Sequence, residues 1–364
     1  MGIGVITRSR STSPSSPRTS PFREPRSAPA HHAPPRAVTI AVVHRSVDPH
    51  TTLRSGRAAF RFYLGDCLDI LTQLPARSVD VIVTSPPYNL GIRYRSYDDT
   101  MPRSDYLRWT GEWIQRVARV LAPEGSLFLN VGAKPTDPWT AMDIAQAVRS
   151  HLQLQNTIHR IKSIAIEKAL AGARANLDDD LAVGHYKPIN SRRFVHDCHE
   201  FVFHFSASGD TPIDRQAIGV RYQDQSNVGR WRTAASGVRC RGNTWFIPYE
   251  TIQSREKDRP HPGTFPPKLP EMCLRLHGLE RARLVADPFL GLGSTAVACA
   301  ELGVNFVGIE MDQGYLAEAV ERTRAALPST PRERAPAAHA DVEHEPIDPR
   351  KESGPSIGQA YRCH

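Results

Sequence analysis

Residues 79–89 read Val-Asp-Val-Ile-Val-Thr-Ser-Pro-Pro-Tyr-Asn, and this stretch constrains the fold more than any other in the 364-residue chain. Its first five residues are a β-branched apolar run of the kind that forms a fully buried strand of a parallel sheet, and the two prolines end any ladder. The chain is therefore predicted to leave a sheet edge at Thr84. In open α/β sheets ligands collect beyond the carboxyl ends of the strands, which makes the turn at 85–88 a candidate reaction site. An ordinary Pro-Pro turn after a strand has the same local signature.

The turn suits a particular chemistry. Two prolines fix φ and carry no N–H, so the Ser85 hydroxyl and the carbonyls near Pro86 become acceptors aimed one way. Acceptors of that kind fit an NH2 donor, and the Tyr88 ring can stack on a planar heterocycle carrying it. Accepting both hydrogens of a conjugated amine pushes its nitrogen towards a nucleophilic, tetrahedral form. Neither a metal nor a covalent intermediate is required.

A second stretch has its own logic. Residues 283–286 read as a buried strand, followed by Asp287-Pro-Phe289, a Gly291-Leu-Gly293 turn and an apolar helix starting near Ser294. Backbone can thus approach a ligand closely at a helix N-terminus. No lysine follows Gly293, which excludes a nucleoside-triphosphate loop, and the third glycine of a dinucleotide fingerprint is missing. Glu310 ends the next apolar strand, 306–309, where an acid can accept from both hydroxyls of a ribose. A glycine-rich turn that merely packs a helix on a strand is the bland alternative.

Taken together, Thr84-Ser-Pro-Pro-Tyr88, residues 284–296 and residues 305–312 resemble the amino-directed DNA methyltransferases that use S-adenosyl-L-methionine. The order is the circularly permuted one of the β class, with the catalytic strand early and the cofactor motif late, and the likeness runs from about residue 62 to 327. It implies an α/β fold built on a Rossmann-like methyltransferase sheet. Ser85, Pro86, Pro87 and Tyr88 would then be catalytic. Asp287, Phe289, Gly291, Gly293, Ser294 and Glu310 would bind cofactor, with no metal. Asp66, in Tyr63-Leu-Gly-Asp66-Cys, resembles the family's contact to the adenine end, although capping of a helix over 67–74 explains it equally. Phe265, in a His-Pro-Gly-Thr-Phe-Pro run, resembles the aromatic that packs on the methionine part. Gly263 and Ser294 replace the family's usual alanine and threonine.

The Ser-Pro-Pro-Tyr form is associated in the family with cytosine N4 and Asp-Pro-Pro-Tyr mainly with adenine N6, with exceptions in both directions. The expected activity is therefore N4 methylation of cytosine in double-stranded DNA by base flipping. Its rivals are adenine-N6 methylation, an RNA substrate and a catalytically inactive DNA-binding regulator. The resemblance also implies a restriction-modification setting with a cognate restriction endonuclease, in a monomer or dimer. Residues 187–193 resemble segments at the rim of the family's target pocket, or are a solvated basic loop.

A charge-rich loop is usually only a solvated face, but charge together with position in the family's permuted order points to a DNA contact here. The formal net charge is +8, of which residues 1–60 carry about +7 and residues 328–364 about −1, so the body is nearly neutral. Within it, residues 215–259 hold nine basic and four acidic residues. This insertion coincides with the family's target-recognition region. Arg221, Arg230, Arg232, Arg239 and Arg241 are interleaved there with Tyr222, Trp231, Trp245, Phe246 and Tyr249, a mix suited to phosphate and base contacts.

The expected organisation is an Arg/Pro/Ser-rich disordered extension at 1–58, a catalytic half at 59–208, a target-recognition region at 209–259, a cofactor half at 260–327 and a disordered tail at 328–364. The extension also fits an organelle transit peptide, but a non-essential extension or an upstream start codon is the preferred reading. Strands are expected at 61–64, 126–131, 157–167 and 199–205. Helices are expected from a Ser104 cap to about 121, and at 138–151, 269–277 and 313–326, with a mobile loop at 172–190. Six scattered cysteines without a Cys-x-x-Cys pair favour reduced thiols in a cytosol, and His196, Cys198 and His199 are a weak metal candidate. With no apolar run long enough to cross a membrane, a soluble cytoplasmic protein is expected.

Overall fold

All six residues of the 79–84 run are buried, as the innermost positions of a parallel sheet require. They belong to a computed structural model that describes residues 48–172, 177–184, 190–222, 228, 237–248 and 263–328. In chain order the elements begin with β1 (Thr51–Ser55), β2 (Ala58–Leu64), α1 (Cys67–Gln73), β3 (Val79–Thr84), α2 (Arg103–Val120), β4 (Leu121–Val131) and α3 (Thr140–Val148). There follow β5 (Gln153–Ile161), β6 (Ser163–Ile166), α4 (Lys168–Ala171), β7 (Leu181–Gly184), β8 (His199–Ser206), β9 (Val220–Arg221), β10 (Val238–Arg239) and β11 (Thr244–Phe246). The last are α5 (Lys268–His277), β12 (Leu284–Asp287), α6 (Ser294–Leu302), β13 (Asn305–Glu310) and α7 (Gln313–Ala326).

Nine strands form one sheet in the order β1-β2-β13-β12-β3-β4-β8-β5-β11. The strands from β2 to β4 run parallel, whereas β1 and β8 are antiparallel to their neighbours. Side chains of β3 alternate between two cores. Val81 and Val83 pack with α5, α6 and α7 on one face, and Ile82 packs with α1, α2 and α3 on the other. The helix α2 earns its place by a 3–4 spacing of Tyr106, Thr110, Trp113, Ile114 and Val117, all buried. Asp80, the one charged side chain in the strand, accepts the Arg283 and Leu284 N–H groups at 2.9 Å each and so pins the start of β12 to the start of β3.

Several expectations are corrected. Residues 51–55, placed in the extension, form β1 because their alternating pattern pairs with β2 in an antiparallel hairpin. The expected strand at 157–167 divides at Lys162: β5 stays in the large sheet, while β6 pairs separately with β7, a strand inside the stretch read as a loop. Ser104 is not the cap of α2, which starts at Arg103 after Pro102 with no side-chain cap. The helix expected at 138–151 is shorter, and β11 from the inserted region joins the large sheet beside β5. The stretches 1–47 and 329–364 lie outside the described residues. Among the described residues no helix is long and apolar enough to cross a membrane.

A buried polar bridge joins β4 and β8 to α5. Ser126 Oγ lies 2.9 Å from His277 Nδ1 on α5 and 2.9 Å from His204 Nε2 on β8. Burial holds both imidazoles neutral, lowering His204 to about 3 and His277 to about 4. Their unfolded values are near 6.5, so the unfolded chain binds more protons below that pH. The stability they confer is present in full above about pH 6.5 and is lost as pH falls towards the folded values, at about 1.4 kcal/mol per pH unit for each histidine. Thermal unfolding followed from pH 7.5 to 4.5 is expected to show a midpoint falling below pH 6.5, with a shallower fall in His204→Gln. Identical slopes in the two proteins would contradict this role.

Candidate active site

The carboxyl edge of the parallel strands encloses a cavity of about 270 Å3. Its wall is supplied in strand order by Asp66 after β2, Glu310 at the end of β13, Phe289 and Gly291 after β12, and Ser85 to Tyr88 after β3. Asn130 and Gly132 at the end of β4 complete the far side, with Arg160, Lys162 and Glu200 beyond them. Phe265 and Ser294 also line it. The two motifs are thus brought to one place by the pairing of β3 with β12, Val81 opposite Val285 and Ile82 opposite Ala286.

Asp287 is placed differently from its expected role. It is not on the cavity wall but sealed beneath it, 1% exposed, where it accepts from Thr84 Oγ1 at 2.7 Å, Thr295 Oγ1 at 2.8 Å and the Phe289 N–H at 3.1 Å. It ties the end of β3 to the turn after β12 and to the first turn of α6. Burial pushes its pKa up to about 6 against the pull of those three donors. Gly293 also lies behind the wall: its φ of +75° suits glycine, and a Cβ there would meet the Ala319 Cβ at 2.9 Å.

On the cofactor-type side, Glu310 Oε2 accepts the Gly291 N–H at 2.8 Å and Oε1 the Asp312 N–H at 2.9 Å, so the carboxylate is braced by the backbone of the turn. Its pKa is raised by burial. Asp66 caps α1 by accepting the Leu68 N–H at 2.8 Å and lines the cavity as well, so both readings of this residue have a geometric basis. Phe289 is wedged edge-on against Trp109 and Trp113 of α2, at 5.5 and 5.2 Å between ring centroids. Ser294 Oγ is buried at the wall with no hydrogen-bond partner among the described residues. Acidic groups, flat aromatics and an orphaned hydroxyl fit a nucleoside bearing a cationic centre.

On the opposite side, sequence reasoning missed the network that orients the turn. Tyr88 Oη donates to the Asn130 carbonyl at 3.0 Å and accepts from Asn130 Nδ2 at 2.7 Å. With the single Tyr88 proton so used, the 2.5 Å contact to Ser85 Oγ has Ser85 as donor. Ser85 Oγ is then left as an acceptor, approached within the protein by Asn130 Nδ2 at a long 3.5 Å. Asn130 Nδ2 also donates to Glu200 Oε2 at 2.9 Å, and Glu200 in turn receives Arg160 at 3.0 Å and Lys162 at 3.4 Å. Gly132 lets the Tyr88 ring lie close, since a Cβ there would stand 3.2 Å from Cε2. The next segment is fixed by Asp99, whose carboxylate accepts the N–H groups of Asn89, Leu90 and Ile92 at 2.8 to 3.0 Å.

Of the expected DNA-contacting residues, Arg221, Arg239 and Arg241 are exposed, and Arg230 and Arg232 lie outside the described residues, as do Trp231 and Tyr249. Arg221 faces Val238 and Arg239 faces Val220 across the β9–β10 ladder, so the two arginines leave on opposite faces. Arg241 donates from Nε to the Ile218 carbonyl at 2.9 Å. Trp245 is a correction: at 1% exposure it is core, packed where β11 joins the sheet, and Phe246 is the exposed aromatic of that strand. Residues 187–189 are outside the described set. Among the described residues no group of three or more His, Cys, Asp or Glu side chains could hold a metal.

The Asp287 clamp carries a stability prediction. Asp287→Ala strands two buried hydroxyls and one N–H, an expected loss on the order of 2–4 kcal/mol in chemical denaturation. A loss below about 1 kcal/mol would mean that the clamp is dispensable.

Comparison with known proteins matches this geometry. The DNA methylase family model (N6_N4_Mtase) matches residues 79–321, from the first residue of β3 into α7. The Type II methyltransferase M.BglII of Bacillus subtilis is 26% identical over 264 residues, covering 70% of this chain and 66% of that protein, just under two thirds of its length. The Type II methyltransferase M.XycI of Xanthomonas campestris pv. cyanopsidis is 28% identical over 315 residues, 80% of this chain and 94% of that protein. Among solved structures, the PvuII DNA methyltransferase (cytosine-N4-specific) aligns over 76% of this chain and 88% of its own, with a TM-score of 0.50 and 17% identity, a likeness of fold. With two thirds of the sequence matched and the strand order that brings both motifs to one edge, this chain belongs to the DNA methylase family and carries its Rossmann-like sheet in circularly permuted order.

Proposed function

We propose that the protein transfers a methyl group from S-adenosyl-L-methionine to the exocyclic N4 of cytosine in double-stranded DNA. One observation carries this reading: the glycine turn and the Ser85–Tyr88 turn open into a single cavity in which Ser85 Oγ is held as an acceptor. When bound, the cofactor supplies an electrophilic methyl on a sulfonium. Glu310 accepts from its ribose, Asp66 stands at the adenine end, and Phe265 packs on the methionine part. The acids along this side also favour a cation.

The target amine needs acceptors. Tyr106 Oη donates to the Pro87 carbonyl at 2.7 Å, so the two amine hydrogens fall to Ser85 Oγ and the Pro86 carbonyl. Holding both withdraws the nitrogen lone pair from conjugation and aims it along the methyl transfer line. Tyr88, with its hydroxyl anchored, offers its ring to the base. A serine is too weak a base to remove a proton first, so the proton leaves after transfer, to water. A duplex hides the amine, so the nucleotide must flip into the cavity. Arg221, Arg230, Arg232, Arg239 and Arg241 hold the DNA from the inserted region. Partnership with a restriction endonuclease is the setting that the Type II designation of the relatives supports.

The choice of N4 over adenine N6 rests on a neutral serine at position 85. Transfer of labelled methyl to duplex DNA is expected to fall about 100-fold in Ser85→Ala, the usual scale for one preorganised hydrogen-bonding group at the reacting centre, with affinity for S-adenosylhomocysteine unchanged. Full activity in Ser85→Ala would remove Ser85 from the mechanism.

A further inference from the structure

The carboxyl edge of the sheet is electrically polarised. Asp66 and Glu310 sit at the end formed by β2 and β13, and Arg160 and Lys162 sit at the end formed by β5, with Ser85 and Tyr88 between them. A sulfonium is attracted to the first end and repelled by the second. The cationic end therefore belongs to the base.

The two cations are not equivalent. Arg160 is fully buried and fixed on two sides, by NH1 to Glu200 at 3.0 Å and by Nε to the Ile247 carbonyl at 3.2 Å, so it is part of the wall. Lys162 keeps 18% of its side chain exposed on the cavity and meets Glu200 Oε1 at 3.4 Å, longer than a tight charge-assisted bond. An ammonium carries three donors on a flexible stem and can hold Glu200 and a second acceptor together. Glu200 also holds Asn130, which holds Tyr88, so Lys162 is in register with the turn that grips the amine.

A base gripped by its amine at β3 projects the rest of its hydrogen-bonding edge towards β5. Three strand spacings separate β3 from β5, about 14 Å, and the four-carbon lysine stem shortens this to roughly a pyrimidine ring with a hydrogen bond at each end. Cytosine presents two acceptors beyond its amine, the ring nitrogen N3 and the O2 carbonyl. Adenine presents one acceptor beyond its amine and then a C–H. We infer that Lys162 is a specificity-determining residue that donates to the O2 carbonyl of the flipped cytosine, with Glu200 as the positioning residue that holds it there. The inference rests on the cytosine-N4 reading and names the group that enforces it.

The test uses the full-length protein and a duplex carrying its mapped recognition site. In one duplex the target is cytosine. In the other it is an aminopyridine C-nucleoside that keeps the amine and the ring nitrogen but has C–H in place of the O2 carbonyl. Lys162→Met is expected to lower kcat/KM on cytosine 10- to 100-fold and, because it also loosens the Glu200–Asn130 brace, to lower it on the aminopyridine by at least fivefold less. Lys162→Arg, which keeps a charged donor, is expected to lose less than Lys162→Met. Binding of S-adenosylhomocysteine, read by calorimetry, should stay within twofold in both variants and reports that they are folded. No loss on cytosine, or equal losses on the two duplexes, overturns the role of Lys162. Adenine methylation by the unsubstituted protein overturns the cytosine reading, and this inference with it, before any variant is compared.

Discussion

Asp287 is the residue on which the architecture of the site depends. Its buried carboxylate accepts from Thr84, which stands immediately before Ser85, and from Thr295 in the first turn of α6, so strands 203 residues apart in sequence share one anchor. A carboxylate in an apolar interior is costly unless its oxygens are satisfied, and here three donors satisfy it. Because β3 and β12 are neighbours in the sheet, the Ser85–Tyr88 turn and the Gly291–Gly293 turn are held side by side. The permuted chain order has no structural cost, since adjacency in the sheet, not order along the chain, makes the cavity.

Hydrogen-bond direction is the second layer. Arg160 and Lys162 neutralise Glu200, Glu200 sets the orientation of the Asn130 amide, and Asn130 gives and receives at Tyr88, so that the Ser85 proton is directed to Tyr88 Oη. The consequence is chemical: an alcohol that would otherwise rotate freely is fixed as an acceptor. Under the proposed mechanism, that fixed orientation lowers the entropy lost when the target amine is gripped.

The sheet and its two motifs were legible in the sequence because apolar period, prolines and glycines are local signals. The bounds predicted for α7 match those observed, and the strands at β3, β8, β12 and β13 were placed within two residues. What was not legible depends on distant pairing. Residues 51–55 carry too few apolar side chains to announce a strand and acquire order only beside β2. Trp245 read as an exposed aromatic among arginines, yet the parallel pairing of β11 with β5 buries it. Asp287 looked like a ligand contact, and only the packing of Thr84 and Thr295 around it reveals a clamp. Asn130, Gly132, Lys162 and Glu200 have no motif of their own; an acid inside the aromatic strand at 199–205 was the one local sign that a buried charge needed partners.

The most direct test of the account is nucleoside analysis by mass spectrometry of DNA from a methylation-free host that produces the protein, beside a host producing Tyr88→Ala. The account requires N4-methylcytosine with the unsubstituted protein and none with the variant. N6-methyladenine would contradict the base assignment while leaving the cavity and its amine chemistry intact. The absence of any modified base from cells holding folded, DNA-binding protein would contradict the enzymatic reading itself.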